Sequence, residues 1–360
     1  MLTISVVKSK QDPSFLGNQL HTFVVMNEVS IKDIAKVAKV SHPTVSRALR
    51  HSPLVNRETA ERIRQIATLM KYRPSAIGRS LVSRKTNTIG VAVTTIGDPF
   101  IGEVVTGIEE MANEHGYSVI LANSNADPDR EVKVVHSFHE RRVDGILVTA
   151  SRVGALYAPL LSQLEIPIVL INSHHPGEFG HSVMIDNVTA SCEATSHLID
   201  LGHRRIAYIG DQFGFQSDKE RLVGYRKALS LANYPLASEL VANGDGKAEG
   251  GMQAMESLLR LPDPPTAVFC YNDMSALGAM RSIHLHGLVV PDDISVVGFD
   301  DLLITAYARP LLTTMRQPKE QMGRLAVETL LKLFSGLETQ THIKLKAELI
   351  VRESTAPAKA

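Results

Sequence analysis

From Thr88 onward, short apolar runs alternate with stretches of helical spacing, a rhythm that few folds can accommodate. Runs at 89–93, 119–121, 146–148, 168–171 and 183–185 form a first series, and runs at 206–209, 240–241, 267–270 and 295–299 a second. Helical patterns near 101–115, 129–141, 187–201, 219–232, 250–260 and 274–286 lie between them. Uninterrupted apolar runs separated by helices read as parallel strands covered on both faces. The two series predict an α/β body of two doubly wound parallel-sheet subdomains, with a ligand crevice at the carboxyl ends of their strands. A helix over 318–334 returns the chain to the first subdomain, and 348–352 reads as a last strand.

A different pattern precedes the body. Ser30 followed three residues later by Asp33 is a capping-box start, and Ile34, Ala35, Val37 and Ala38 then recur at helical spacing. Lys39-Val40 makes a short turn. Ser41 can cap a second helix that carries Val45, Ala48 and Leu49 inward, with Pro43 in the first turn, where its missing N–H has no intrahelical partner anyway. A third helix, capped by Asn56, is expected from Arg57 to Lys71, with Ile63, Ile66, Ala67 and Met70 as its buried stripe. Two short helices joined by a tight turn are a helix-turn-helix, the second helix of which enters a DNA major groove. The apolar positions alone would also suit a plain helical bundle.

Charge separates those readings. Formal net charge is zero over 360 residues, yet residues 27–86 hold thirteen Lys+Arg against four Asp+Glu, and residues 87–360 hold 23 against 33. A basic head on an acidic body suits a polyphosphate partner bound in a salt-dependent way. Arg57, Arg62, Arg64 and Lys71 are candidate phosphate contacts. Beyond them, residues 75–82 read as two helical turns, too short to be stable alone in water, followed by the polar linker Ser83-Arg84-Lys85-Thr86-Asn87.

Ile31-Lys32-Asp33-Ile34-Ala35, Val40-Ser41 and Thr44-Val45-Ser46-Arg47-Ala48-Leu49 resemble the headpiece of the LacI/GalR family of bacterial transcriptional regulators. Tyr72-Arg73-Pro74-Ser75-Ala76-Ile77-Gly78-Arg79-Ser80-Leu81 is similar to that family's hinge. Further on, Arg142-Val143-Asp144-Gly145-Ile146, Leu201-Gly202-His203-Arg204-Arg205-Ile206-Ala207, Arg221-Leu222-Val223-Gly224-Tyr225, Asn272-Asp273 and Ser295-Val296-Val297-Gly298-Phe299-Asp300-Asp301 resemble its effector core, as does Leu312-Thr313-Thr314 with Gln317-Pro318. That core is shared with periplasmic sugar-binding proteins.

The resemblance implies four regions: a disordered extension over 1–26, a DNA-binding domain over 27–73, a hinge helix and linker over 74–87, and an effector-binding and dimerisation domain over 88–355 with crossovers near 186, 316 and 345. It implies DNA contacts from His42, Pro43, Thr44, Ser46, Arg47 and Asn56 in the head and from Ser75, Ala76, Arg79 and Leu81 in the hinge. Arg47 suits guanine, whose O6 and N7 a guanidinium can bridge, or else a phosphate. Leu81 is expected to wedge into the minor groove at the operator centre. Effector contacts are implied at Asp98, Phe100, Asn172, Phe215, Arg221, Asn272, Asp300 and Gln317. Carboxylate, guanidinium and amide groups around an apolar ring suit a polyhydroxylated ligand. Asp300 could instead be a turn residue and Arg221 a surface ion pair. Two departures bear on the effector: many relatives carry an aromatic about where Gly246 sits, and sugar repressors often have a charged pair where Asn172-Ser173 stands.

The implied partners are double-stranded DNA with a near-palindromic operator, a second copy of the chain and a small molecule, a sugar or a relative of one. The implied function is a ligand-responsive transcriptional regulator, a repressor, acting in the cytoplasm without a cofactor. A transport-associated sugar-binding protein is the competing class, since the body alone would suit it; the basic head and the lack of a signal-peptide core argue against it. An enzyme ranks third, because neither a nucleophile elbow nor a phosphate loop is present. His174-His175, His181 and His203 lack metal-ligand spacing with acidic or cysteine partners. No run has the length of a membrane span. Cys192 and Cys270 suit buried free thiols. The tail after Arg352 is short, polar and without heptads, which speaks against a coiled-coil tetramer.

Overall fold

The computed structural model describes residues 29–72, 85–151, 166–173 and 180–359, which belong to two compact units. The extension 1–26, the hinge positions Ser75, Ala76, Arg79 and Leu81, and His174 and His175 fall outside the described residues.

In the N-terminal unit, helices α1 (Ile31–Ala38), α2 (His42–Leu49) and α3 (Arg57–Leu69) start where their caps dictate. The Asp33 carboxylate accepts from both the amide and the hydroxyl of Ser30, at 3.0 and 2.6 Å. Lys39, in the left-handed region at φ 51°, ends α1. Ser41 Oγ accepts from the Thr44 amide at 3.4 Å, and Asn56 Oδ1 from the Glu58 amide at 2.9 Å. The third helix stops two residues short of the expected Lys71, which itself turns to φ 52°. Ile34, Ala38, Val45, Ala48, Ile63 and Ala67 interdigitate as the core, while Ile66 and Met70 lie half-buried at its edge. Small residues at three of those positions let the helices approach closely.

Among its described residues, the C-terminal unit holds two six-stranded sheets. The first contains β1 (Thr88–Val93), β2 (Ser118–Asn123), β3 (Gly145–Thr149), β4 (Ile168–Ile171) and β5 (Ser182–Ile185), with helices α4 (Pro99–Glu114) and α5 (Pro128–Glu140) between the early strands. Helix α6 (Asn187–Asp200) leads to the second sheet, where β6 (Ile206–Asp211), β7 (Val241–Gly244), β8 (Ala267–Cys270), β9 (Ser295–Asp300) and β10 (Thr313–Arg316) alternate with α7 (Gln216–Leu231), α8 (Ala248–Leu259) and α9 (Asp273–Leu285). Helix α10 (Lys319–Phe334) returns to the first sheet and β11 (His342–Leu345); β12 (Glu348–Ile350) ends in the second. Strand order is β11-β5-β4-β3-β1-β2 in one sheet and β12-β10-β9-β8-β6-β7 in the other, parallel except for β12. In each sheet the winding reverses beside the first strand, between β1 and β3 and between β6 and β8, and a crevice opens at such switch points.

Most strands follow the apolar runs. Leu240 is an exception, lying in a 3-10 turn (Ser238–Leu240) just before β7. Two strands had no apolar run to mark them. In β10, Thr313 and Thr314 are buried because their hydroxyls bond within the fold. In β11, at the sheet edge, exposed His342 and Lys344 alternate with half-buried Ile343 and Leu345.

Helices α4 and α10 cross with backbones touching. A Cβ built at Gly107 would lie 2.1 Å from the Glu320 carbonyl oxygen, and one at Gly323 2.2 Å from that of Val104. Neither obstacle is a flexible side chain, so Gly107→Ala is expected to cost about 1–3 kcal/mol, read as a lower urea midpoint with an unchanged slope. The second sheet is fastened by the chain end. Ser354 Oγ donates to the Val296 carbonyl at 2.6 Å, and His203 Nε2 lies 3.0 Å from the Ala356 carbonyl and 3.0 Å from Ser295 Oγ. His203 thus clasps the tail onto β9. Cys192 is half-buried, Cys270 is buried, and both are free thiols. Among the described residues no helix is long and apolar enough to cross a membrane.

Candidate functional site

The N-terminal unit presents the first turn of α2 to solvent. His42, Pro43 and Arg47 are exposed, whereas Thr44 and Ser46 are half-buried. Thr44 Oγ1 shares a 2.8 Å hydrogen bond with Ser41 Oγ, and Arg50 binds Ser46 through both its carbonyl and its hydroxyl, at 3.2 and 3.0 Å. Those local contacts engage the Thr44 and Ser46 hydroxyls, whereas His42 and Arg47 stand as exposed polar groups of α2. Asn56 caps α3 through Oδ1 and is exposed. Lys32, Lys36 and Lys39 line the exposed side of α1.

Two of the expected phosphate contacts serve the head itself. Arg62 donates to the Ala38 carbonyl at 3.2 Å and Arg64 to that of Ala48 at 3.3 Å. Each guanidinium sits at the carbonyl end of a neighbouring helix, where the helix dipole favours a cation. Arg57 pairs with Glu61 at 3.1 Å on an exposed face.

In the C-terminal unit a cavity of about 520 Å³ opens at the strand ends of both sheets. Seven of the eight expected effector residues line it: Asp98, Phe100, Asn172, Phe215, Arg221, Asn272 and Asp300. Gln317 does not. It is buried behind Asp300 and donates from Nε2 to Asp300 Oδ1 at 2.6 Å, so it holds a cleft residue and stays out of the cleft.

Asp98 caps α4, accepting from the Phe100 amide at 2.9 Å, and so puts Phe100 at the mouth of the first sheet. Burial pushes its carboxyl above the usual range against the pull of that bond and of Arg221. Arg221 is 2% exposed, which removes the surface ion pair as a reading. Its guanidinium carbon stands 3.7 Å from the centre of the Phe299 ring and 4.8 Å from that of Tyr271. Nε donates to Asn187 Oδ1 at 3.0 Å and Nη1 to the Tyr271 carbonyl. A guanidinium has five N–H donors, so the side chain is fixed and keeps donor capacity for the cavity.

Asp300 closes β9 with φ 128°, and Asp301 follows with φ 53°. The turn reading and the cleft reading of Asp300 therefore coincide. Desolvation holds the Asp300 carboxyl well above the ordinary range; Arg221 works against this, while Asp273 and Asp98 add to it. Behind it, burial raises Asp273 to about 6 although it accepts from the Leu302 amide and the Thr314 hydroxyl. Asn272 caps α9 through Ser275 and donates to the Gly246 carbonyl at 2.8 Å.

Cavity residues that sequence reasoning missed include Asp211, Asp245, Tyr271 and Phe213. Asp211 ends β6, Asp245 follows β7 and Tyr271 follows β8, so the strand-end rule would have found all three. Gly246 leaves the floor open, since a Cβ there would sit 3.4 Å from Asp211 Oδ2 and 3.7 Å from Asn272 Nδ2. Carboxylates that accept, a guanidinium and an amide that donate, and the Phe100, Phe213 and Phe215 rings together can bind a polar ring compound. Among the described residues no three His, Cys, Asp or Glu side chains are placed to share a metal ion.

Residues 30–75 match the model of bacterial regulatory proteins, lacI family, and residues 195–355 that of the periplasmic binding protein-like domain. The chain is 35% identical over 327 residues to the HTH-type transcriptional repressor PurR of Aliivibrio salmonicida, covering 90% of this chain and 98% of that protein. It is 37% identical over 328 residues to the HTH-type transcriptional repressor CytR of Escherichia coli (strain K12), covering 91% and 96%. The crystal structure of the lac repressor dimer bound to operator and the anti-inducer ONPF aligns with a TM-score of 0.84 at 28% identity, covering 92% of this chain and 100% of that one.

Proposed function

The chain belongs to the lacI family of bacterial regulatory proteins, and on that premise we propose that it is an effector-responsive, sequence-specific transcriptional repressor. It binds a near-palindromic operator as a homodimer, because one head reads only a half-site. It works in the cytoplasm, where the operator lies, and performs no catalysis. Its effector is a sugar or a related small metabolite. The observation that carries this reading is a single chain that joins a basic helix-turn-helix, with Arg47 outward, to a cavity walled by Arg221, Asp300 and Phe100.

Arg47 and His42 read base edges, and Leu81 from each protomer wedges into the minor groove. Effector in the cleft turns one sheet's lobe against the other and changes the spacing of the paired hinges. A coupling of about 1–3 kcal/mol would shift operator affinity roughly 5–150-fold. The test is a gel shift with palindromic duplexes from the source genome, repeated with sugars, sugar acids and nucleosides. A duplex preference that one compound class shifts supports the reading; indifference to duplex sequence refutes it. Leu81→Ala is expected to weaken operator binding about tenfold or more while effector affinity, measured by calorimetry, stays near wild type. Unchanged DNA affinity would remove the wedge.

A further inference from the structure

Lysines are rarely buried, yet Lys319, the first residue of α10, is 5% exposed. Its Nζ donates to the Asp300 carbonyl at 2.6 Å and the Asp301 carbonyl at 2.9 Å, and lies 3.2 Å from Glu103 Oε2. Three donors meet three acceptors, the full capacity of an ammonium group. The acceptors belong to different lobes. Asp300 ends a strand of the second sheet and Asp301 follows it, whereas Glu103 stands on α4 of the first, the helix that Asp98 caps and that carries Phe100.

The turn that Lys319 grips has strained backbone beside the cavity. Two consecutive non-glycine residues there have positive φ, 128° and 53°, a conformation that L residues seldom adopt. Such turns persist where their surroundings over-determine them. Here Gln317 holds the Asp300 carboxylate, Arg316 and Arg352 hold that of Asp301, and Lys319 holds both carbonyls. Its base is rigid, because α10 and α4 meet backbone to backbone at Gly107 and Gly323. An aliphatic side chain would fill this space without the cost of desolvating an ammonium, so filling does not account for a lysine.

We propose that Lys319 is a positioning residue for the effector: its ammonium keeps the Asp300 turn aimed into the cleft and ties that turn to the helix bearing Asp98 and Phe100. This rests on the reading of the cleft as the effector site. Effector touching Asp300 on one lobe and Phe100 on the other is then sensed against a fixed pivot at the cleft base.

The test compares full-length Lys319→Met and Glu103→Gln with wild type by hydrogen exchange and by calorimetry, using D-ribose, D-galactose, cellobiose and adenosine as probes. Lys319→Met is expected to speed exchange of the amides at 301–303 at least about tenfold while β6 stays protected. It should also weaken whichever probe binds wild type about tenfold or more. Glu103→Gln, which leaves both carbonyl bonds intact, should spare the turn and lower probe affinity by a smaller factor, about two- to fivefold. A purely structural lysine would lower the melting temperature and leave probe affinity unchanged; that result, or unaltered exchange at 301–303, overturns the proposal. If Lys319→Met does not fold, unchanged probe affinity in Glu103→Gln overturns it instead. Should no probe bind wild type, the effector reading fails on its own, and exchange at 301–303 still decides whether Lys319 holds the turn.

Discussion

Raising the salt concentration from about 50 to 200 mM is expected to weaken operator binding by roughly 10³–10⁵-fold, the loss associated with about six to ten neutralised phosphates. Bulk composition points the other way, since a chain with 38 basic and 38 acidic residues carries no net charge to be screened. The prediction rests on how charge is distributed. Thirteen of the basic residues fall within 27–86, and a dimer presents that region twice. Three of them also make contacts within the head: Arg62 and Arg64 each donate to a helix end, and Arg50 binds Ser46. Lys32, Lys36, Lys39 and Arg47 remain exposed on α1 and α2, enough for about three to five contacts per head once the hinge is counted. The measurement is the slope of log affinity against log salt, on operator and on an unrelated duplex. Arg47→Ala adds a second axis. As a guanine reader Arg47 should cost about 1–3 kcal/mol on the operator and relax one position, whereas a phosphate contact would flatten the slope by about one on every duplex. A flat slope for the wild type would remove nucleic acid as the partner of this head.

Much of the architecture was legible because local chemistry and tertiary need agree. Ser30, Ser41 and Asn56 mark three helix starts through side-chain geometry alone, and the buried parallel strands advertise themselves as apolar runs. Reading failed where a residue's role depends on what arrives from elsewhere in the chain. Thr313 and Thr314 look like surface residues until the tail and Asp273 come to bond them. That Arg62 and Arg64 also hold the ends of α1 and α2 shows only once those ends come within reach. Gln317 was placed in the cleft by motif and lies one layer behind it, because the crossover points its amide at Asp300. Lys319 would be assigned to solvent from any sequence window, and it is buried where the Asp300–Asp301 turn and Glu103 of α4 meet the start of α10. Strand-end positions such as Asp211 and Tyr271 could have been found, since the sheet topology nominates them whatever their residue type.

Arg221→Met is expected to abolish the effector response, lowering effector affinity about 100-fold or more, some 2.7 kcal/mol, while the head's operator affinity without effector is unchanged. Methionine is flexible enough to fill the slot between Phe299 and Tyr271, so the substitution removes a charge and its donors without opening a large void. Asn187 Oδ1 and the Tyr271 carbonyl lose a donor, a cost that the relief of a desolvated guanidinium offsets in part. The buried carboxyls supply an internal check. Arg221 opposes the upward push on Asp98, Asp218 and Asp300, so without it all three should hold their protons to higher pH. A protonated Asp300 cannot accept from a ligand hydroxyl as its carboxylate does, so the loss of affinity should deepen as pH falls and ease, without full recovery, as pH rises. Asp300→Ala should match the loss of affinity with a weaker pH dependence, because one of the two raised carboxyls lining the cavity is gone and Asp98 remains. Retained effector affinity in a folded Arg221→Met would move the binding role away from this guanidinium. Loss of affinity together with loss of the second sheet's hydrogen-exchange protection would instead make Arg221 a structural keystone between α7 and β8.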